Sequence, residues 1–163
     1  MKKYGSFSGT VTSIQDYSVG SDEELKGCFK LMSLLSEDGS IVNFVISPTT
    51  YFLDHVMVSV GDRVTGFYDV NVPVILIYPP QYQALVIVKD NAYQNVKVDY
   101  FNSQLVSSDG QLQLNISSFT PILLQNDQPF TLDPANRNLL VEYGSATFSI
   151  PAQTTPFKII VLC

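Results

Sequence analysis

The chain has 163 residues, 45% of them hydrophobic and 15% charged, which is enough apolar content for one ordinary domain or two small ones and too much for a disordered chain. Nine Lys and Arg against fifteen Asp and Glu leave a net charge of −6. Such a surface repels phosphate backbones and lacks the counterion-release contribution to nucleic-acid affinity, so nucleic acid is a disfavoured partner.

The N-terminus, Met1-Lys2-Lys3-Tyr4-Gly5-Ser6, has two positive charges and no apolar run behind them, so it does not read as a secretory signal. No later stretch reaches the roughly 18 to 20 apolar residues of a membrane span. A cytoplasmic location is the default expectation, and a mature secreted form with its leader removed would read the same way. Cys28 and Cys163 lie far apart with no metal-ligand spacing, and both read as small buried hydrophobes.

Nine prolines and nine glycines are spread along the chain so that few windows can hold a long amphipathic helix, while β-branched and aromatic residues fill the runs between them. Strands are predicted near residues 6–15, 28–36, 40–46, 63–69 and 83–89, then near 95–101, 104–107, 111–116, 138–143 and 157–162. The acidic stretch Ser21-Asp22-Glu23-Glu24 reads as a solvated loop between the first two strands. After Ser47 a helix of two turns at most is predicted, with Ser47 as cap, Pro48 in the first helical position and no breaker from Thr49 to His55. Gln111-Leu112-Gln113-Leu114-Asn115-Ile116 alternates strictly and predicts a strand with one wet face. Leu85-Val86-Ile87-Val88 and Ile159-Ile160-Val161-Leu162 are apolar on both sides and predict strands covered on both faces.

Features recur in the same order in the two halves. Ser36-Glu37-Asp38-Gly39-Ser40 is matched by Ser107-Ser108-Asp109-Gly110-Gln111, each an Asp-Gly hairpin turn in which Gly supplies positive φ. Ser47 and Thr49 align with Ser118 and Thr120, Arg63-Val64 with Arg137-Asn138, and Pro79-Pro80-Gln81 with Pro151-Ala152-Gln153.

The first copy has a first strand carrying a mid-strand Gly9, then a hairpin, a short helix and a Gly61-Asp62-Arg63-Val64 entry to the fourth strand. This order resembles the OB-fold over about residues 4–90. The resemblance implies an all-β chain of two tandem small OB-like β-barrels, with residues 1–92 the first and residues 93–163 a second, smaller barrel or sheet unit. The second copy departs from the pattern in its short first strand and its missing helix. The OB barrel hosts oligonucleotide, oligosaccharide and protein ligands, so the resemblance implies a shape more than a task.

Signatures of catalysis are missing. His55 is alone, no Walker loop, nucleophile elbow or Cys-x-x-Cys pair is present, and Asp62 and Asp69 stand at an odd spacing that sends them to opposite faces of a strand. A non-enzyme without cofactor or metal is expected. The candidate ligand-binding residues are Asn43, Tyr51, Arg63, Phe67, Tyr68, Tyr78, Gln81 and Tyr82, because tyrosines offer broad faces with polar tips while the amides and Arg63 can read a ligand's hydrogen-bonding groups. The segment Val70 to Tyr78 is apolar where a loop should be polar, so Val72, Val74, Ile75, Leu76 and Ile77 are expected to form an interface with the other barrel or a second subunit. The leading expectation is a structural or protein-interaction module, with a protein partner or self-association. A small-ligand or oligosaccharide binder using the tyrosine groove is the alternative, and a single-stranded nucleic-acid binder is a third reading against the charge.

Overall fold

The computed structural model describes residues 2–163. Strands dominate it, and the only helical segments among the described residues are single 3-10 turns at Glu23–Leu25 and Leu53–His55, so the chain is all-β. No helix among these residues is long and apolar enough to cross a membrane. The chain divides into two compact units, an N-terminal one of Tyr4–Asp90 and a C-terminal one of Asn91–Cys163 with Lys2 and Lys3.

The N-terminal unit contains β1 (Tyr4–Asp16), β2 (Lys30–Leu35), β3 (Ile41–Ile46), β4 (Tyr51–Phe52), β5 (Arg63–Asp69), β6 (Gln81–Gln83) and β7 (Val86–Lys89). They form one sheet in the order β4-β7-β5-β1-β2-β3-β6. β1 is long enough to serve two neighbours: Tyr4 to Thr10 runs antiparallel to β5, and Thr10 to Asp16 runs antiparallel to β2 with a register irregularity between Val11 and Ser13. Alternation along the strands sends Val11, Met32, Leu34, Phe44 and Val64 into one buried cluster with Ile87.

β6 and β7 are nearly continuous. At their junction Ala84 N–H donates to the Val45 carbonyl at 3.0 Å, and the next residue, Leu85, donates to the Phe67 carbonyl at 2.8 Å. One residue thus bonds toward β3 and its successor toward β5. This divergence ends the β6 ladder at Gln83 and starts the β7 ladder at Val86, so the sheet as paired is open, where a closed barrel was expected.

The C-terminal unit contains β8 (Asn95–Phe101), β9 (Leu112–Leu114), β10 (Ile122–Leu124), β11 (Arg137–Tyr143), β12 (Ala152–Thr154) and β13 (Lys158–Val161). They form an open four-stranded sheet, β10-β13-β11-β8, and a two-stranded sheet, β12-β9. The strand predicted at 104–107 is reduced to single bridges from Val106 to Gln113 and from Phe101 to Ser107. Leu112 and Leu114 are buried while Gln111 and Asn115 are exposed, the alternation read from the sequence. They join Phe101, Leu139, Val141, Ile159 and Val161 in the core.

The two units share a pairing scheme. β3 pairs in parallel with β6 as β9 does with β12, β5 pairs antiparallel with β7 as β11 does with β13, and β4 pairs in parallel with β7 as β10 does with β13. The Asp-Gly turns correspond in detail: Gly39 and Gly110 have φ of 86° and 72°, and Asp38 and Asp109 each accept the amide two residues on and a hydroxyl two residues back.

Three expectations are corrected. The helix after Ser47 is replaced by a hydroxyl-locked turn and β4. Ser47 N–H donates to Thr50 Oγ1 at 3.0 Å, Thr50 Oγ1 donates to the Ala84 carbonyl at 2.9 Å, and Tyr51 N–H goes to the Leu85 carbonyl, which commits the backbone to the sheet. Positive φ at Asp54 (59°) and His55 (52°) then stops any helix. The repeat match is off by one residue, since Ser117 and Thr120 reproduce the Ser47–Thr50 turn. Finally, Cys28 and Cys163 are both exposed, Cys28 in the connection after β1 and Cys163 beyond the last strand, where no core packing reaches them.

Candidate functional site

The N-terminal unit has a cavity of about 280 Å³ where the ends of β1, β5 and β6 meet the connection 70–80. Tyr68 leaves β5 and Tyr82 leaves β6, and their rings stack with centroids 3.9 Å apart and planes inclined by 10°. Phe44, buried beneath on β3, supports both rings at 6.1 and 6.2 Å in tilted contacts. The Tyr68 ring lies across Gly5, where a Cβ would come within 2.6 Å of Tyr68 Cζ, so this position on β1 has no room for a side chain.

Burial, followed by the neighbouring Tyr82, pushes the Tyr68 phenol above its ordinary value. It therefore stays neutral at physiological pH, able to donate or accept a hydrogen bond. Gln81 Nε2 donates to the Tyr17 hydroxyl at 3.0 Å, which ties the end of β1 to β6 at the cavity. Val72, Pro73, Val74 and Ile75 line it from the connection. Asp69 is the only ionisable carboxylate in the lining, and it accepts the Asn71 amide at 3.0 Å.

Of the residues singled out from sequence, the structure brings together Tyr68, Gln81, Tyr82, Val72, Val74 and Ile75 at this cavity. Asn43 pairs with Gln81 across the β3–β6 ladder, but its side chain accepts the Ser33 hydroxyl at 2.6 Å and is not part of the lining. Phe67 is buried and faces away from Tyr68, as alternation along β5 requires. Tyr51 is buried on β4 with its ring edge-on to His55. Arg63 stands at the far end of β5 from Tyr68, ion-paired with Asp90 at 3.3 Å and Glu37 at 3.7 Å. Leu76, Ile77 and Tyr78 do not line the cavity; Leu76 is 100% exposed and Tyr78 78% exposed at the outside of the connection.

Tyr17, Gln83 and Leu85 also line the cavity and were not singled out. The alternation Gln81-Tyr82-Gln83 carried a signal for Gln83, whereas Tyr17 follows a long strand and is placed only by the folded register. The C-terminal unit has a shallower cleft of about 500 Å³ at its own β11–β12 connection, lined by Asn115, Ser145, Thr147, Gln153, Thr154 and Phe157 among others, with no charged side chain.

Neither cleft assembles a nucleophile with a base. Among the described residues no group of three or more His, Cys, Asp or Glu is placed to hold a metal ion. No family model, no curated protein and no solved structure matches the chain.

Proposed function

We propose that the chain is a non-catalytic protein-interaction module made of two OB-like units in tandem, each an open form of the barrel, which engages a protein partner through the β5–β6 connection of the first. The OB-like reading is supported by the near-continuity of β6 and β7, a run bonded to β3 at one half and β5 at the other, and by the same arrangement of β12 and β13. The interaction reading is carried by one observation. Residues 70–78 contain no charge, and Ile75, Leu76 and Tyr78 are 64%, 100% and 78% exposed in a row that a free surface has no reason to keep apolar. The acidic balance of the chain argues against nucleic acid as the partner.

The test replaces the outermost side chains. An Ile75→Ser, Leu76→Ser double variant is expected to keep its melting temperature, because both side chains are solvated and such changes cost within about 0.5 kcal/mol. A tagged pull-down from the native host should recover a specific protein with the parent chain and lose it with the variant. Identical capture by both, or none by either, would sink the reading.

A further inference from the structure

β6 is bonded along one side only. Asn43 N–H donates to the Pro80 carbonyl at 2.9 Å and Ala84 N–H to the Val45 carbonyl at 3.0 Å. In a parallel ladder alternate residues face the partner, so Pro80, Tyr82 and Ala84 turn their peptide groups to β3, and Gln81 and Gln83 turn theirs away. Among the described residues no strand pairs with that outer edge.

The C-terminal unit has the corresponding strand in the corresponding ladder, with Gln153 opposite Gln113 as Gln81 is opposite Asn43. There the outer edge is occupied at Gln153. Thr147 N–H donates to the Gln153 carbonyl at 3.0 Å, and Gln153 N–H donates to Thr147 Oγ1 at 2.9 Å. Thr147 comes from that unit's own connection, residues 144–151. In the N-terminal unit the connection runs over residues 70–80, three residues longer, and contributes no such partner. The cavity of about 280 Å³ lies there instead, lined by Val72, Val74 and Ile75 of the connection and by Gln81 and Gln83 of the edge.

We propose that the outer edge of β6 receives an extended, uncharged segment of a partner protein as an added strand, seated where Thr147 sits in the C-terminal unit. The inference rests on the protein-interaction reading and names its mode. Main-chain hydrogen bonds to Gln81 and Gln83 supply the attachment, and the apolar wall of the connection takes an alternate side chain of the segment. An uncharged segment fits because no charged residue lies between Asp69 and Lys89, and a carboxylate placed beside Asp69 would be repelled and desolvated together.

The probe is a capped peptide copying residues 144–150, which is uncharged and contains the threonine that occupies the equivalent edge at Gln153. Added to the whole protein, it should shift the Gln81 and Gln83 amide signals saturably and slow their hydrogen exchange. The same peptide N-methylated at alternate residues should do neither. A Gln83→Pro variant removes an outward N–H that the β3–β6 ladder does not use, and it should keep its melting temperature and bind the peptide roughly tenfold more weakly, the worth of one well-made hydrogen bond. Equal binding of the N-methylated peptide, or by Gln83→Pro, overturns strand addition while leaving partner capture through Ile75 and Leu76 to its own test. Failure of the unmodified peptide to bind overturns the inference outright. Concentration-dependent dimerisation that Gln83→Pro abolishes gives the edge to a second copy of the chain and overturns the partner form.

Discussion

The two units carry the same hydrogen-bonded frame and different covers. Where the N-terminal unit places Tyr68 and Tyr82 face to face over Phe44, the matching ladder positions of the C-terminal unit are Tyr143, Thr154 and Leu114. Glu142, which holds the ladder position of Phe67, is buried, paired with Lys158 at 3.2 Å and hydrogen-bonded by Gln94 at 2.9 Å. One unit thus stacks two tyrosines beside a cavity where the other sets a tyrosine and a threonine, and the buried Phe67 of the first is answered by a polar network in the second. Its shorter connection folds back onto β12, while the longer one of the N-terminal unit stands off β6. The frame is fixed by turns and ladder geometry, and the divergence is concentrated in the connections, where added residues disturb no ladder.

That contrast is broken most directly at Phe44. Its ring is fully buried and supports both tyrosines, so Phe44→Ala leaves a cavity beneath the stack and should cost about 3 to 5 kcal/mol, read as a fall in the urea midpoint. Fluorescence or aromatic NMR signals of the tyrosine pair should change with it. A cost under about 1 kcal/mol would mean that the stack does not depend on its floor and that the N-terminal site is less built than its geometry indicates.

A second, smaller effect sharpens the likeness of the units. Thr50→Val and Thr120→Val each remove a hydroxyl that receives a backbone N–H, from Ser47 at 3.0 Å or Ser117 at 3.3 Å, and donates to a carbonyl, of Ala84 at 2.9 Å or Pro156 at 3.2 Å. Each should cost on the order of 1 to 2 kcal/mol, with the shorter bonds of Thr50 making its loss the larger. Denaturant titration of the two variants decides the matter, and a measurable cost at one threonine with none at the other would end the claim that the turns are equivalent.

Much of the frame was legible because it depends on local chemistry. The Asp-Gly turns, the doubly buried runs ending at Val88 and Val161, and the strands Arg63–Asp69 and Asn95–Phe101 follow from turn residues and period-2 alternation. β4, β10 and β12 were missed because each is only two or three residues long and exists through pairing with a distant strand, which no window around Tyr51, Ile122 or Ala152 contains. Ser47 and Pro48 carried a true helix-start pattern, and a tertiary hydrogen bond from Thr50 to Ala84 overrode it. The site was half legible: tyrosine and glutamine composition pointed at Tyr68, Gln81 and Tyr82, but the register that parts them from Arg63 and Tyr51, and the open outer edge of β6, arise only when β3, β5 and β6 meet.

The smallest effect separates the two Asp-Gly turns by what holds their carboxylates. The Ser36 hydroxyl and then the Ser40 amide lower the Asp38 carboxyl from 3.8 to about 2, with no lysine or arginine among the causes. At Asp109 burial pushes upward, and the Lys97 ammonium, the Ser107 hydroxyl and the Gln111 amide outweigh it, leaving the group below its ordinary value. Both carboxyls are therefore depressed in the folded chain, so whatever stability they lend is present above their unfolded value near 3.8 and is lost as pH falls, for Asp38 through about 2. Carboxyl NMR titration should put the Asp38 midpoint near 2, and Ser36→Ala should move it back toward 3.8. Added salt should raise the Asp109 midpoint by screening Lys97 and leave Asp38 nearly still, because a hydroxyl and an amide are not screened as a charge is. Equal salt responses would place a charge beside Asp38 that the geometry does not, and would reduce the two turns to one electrostatic type.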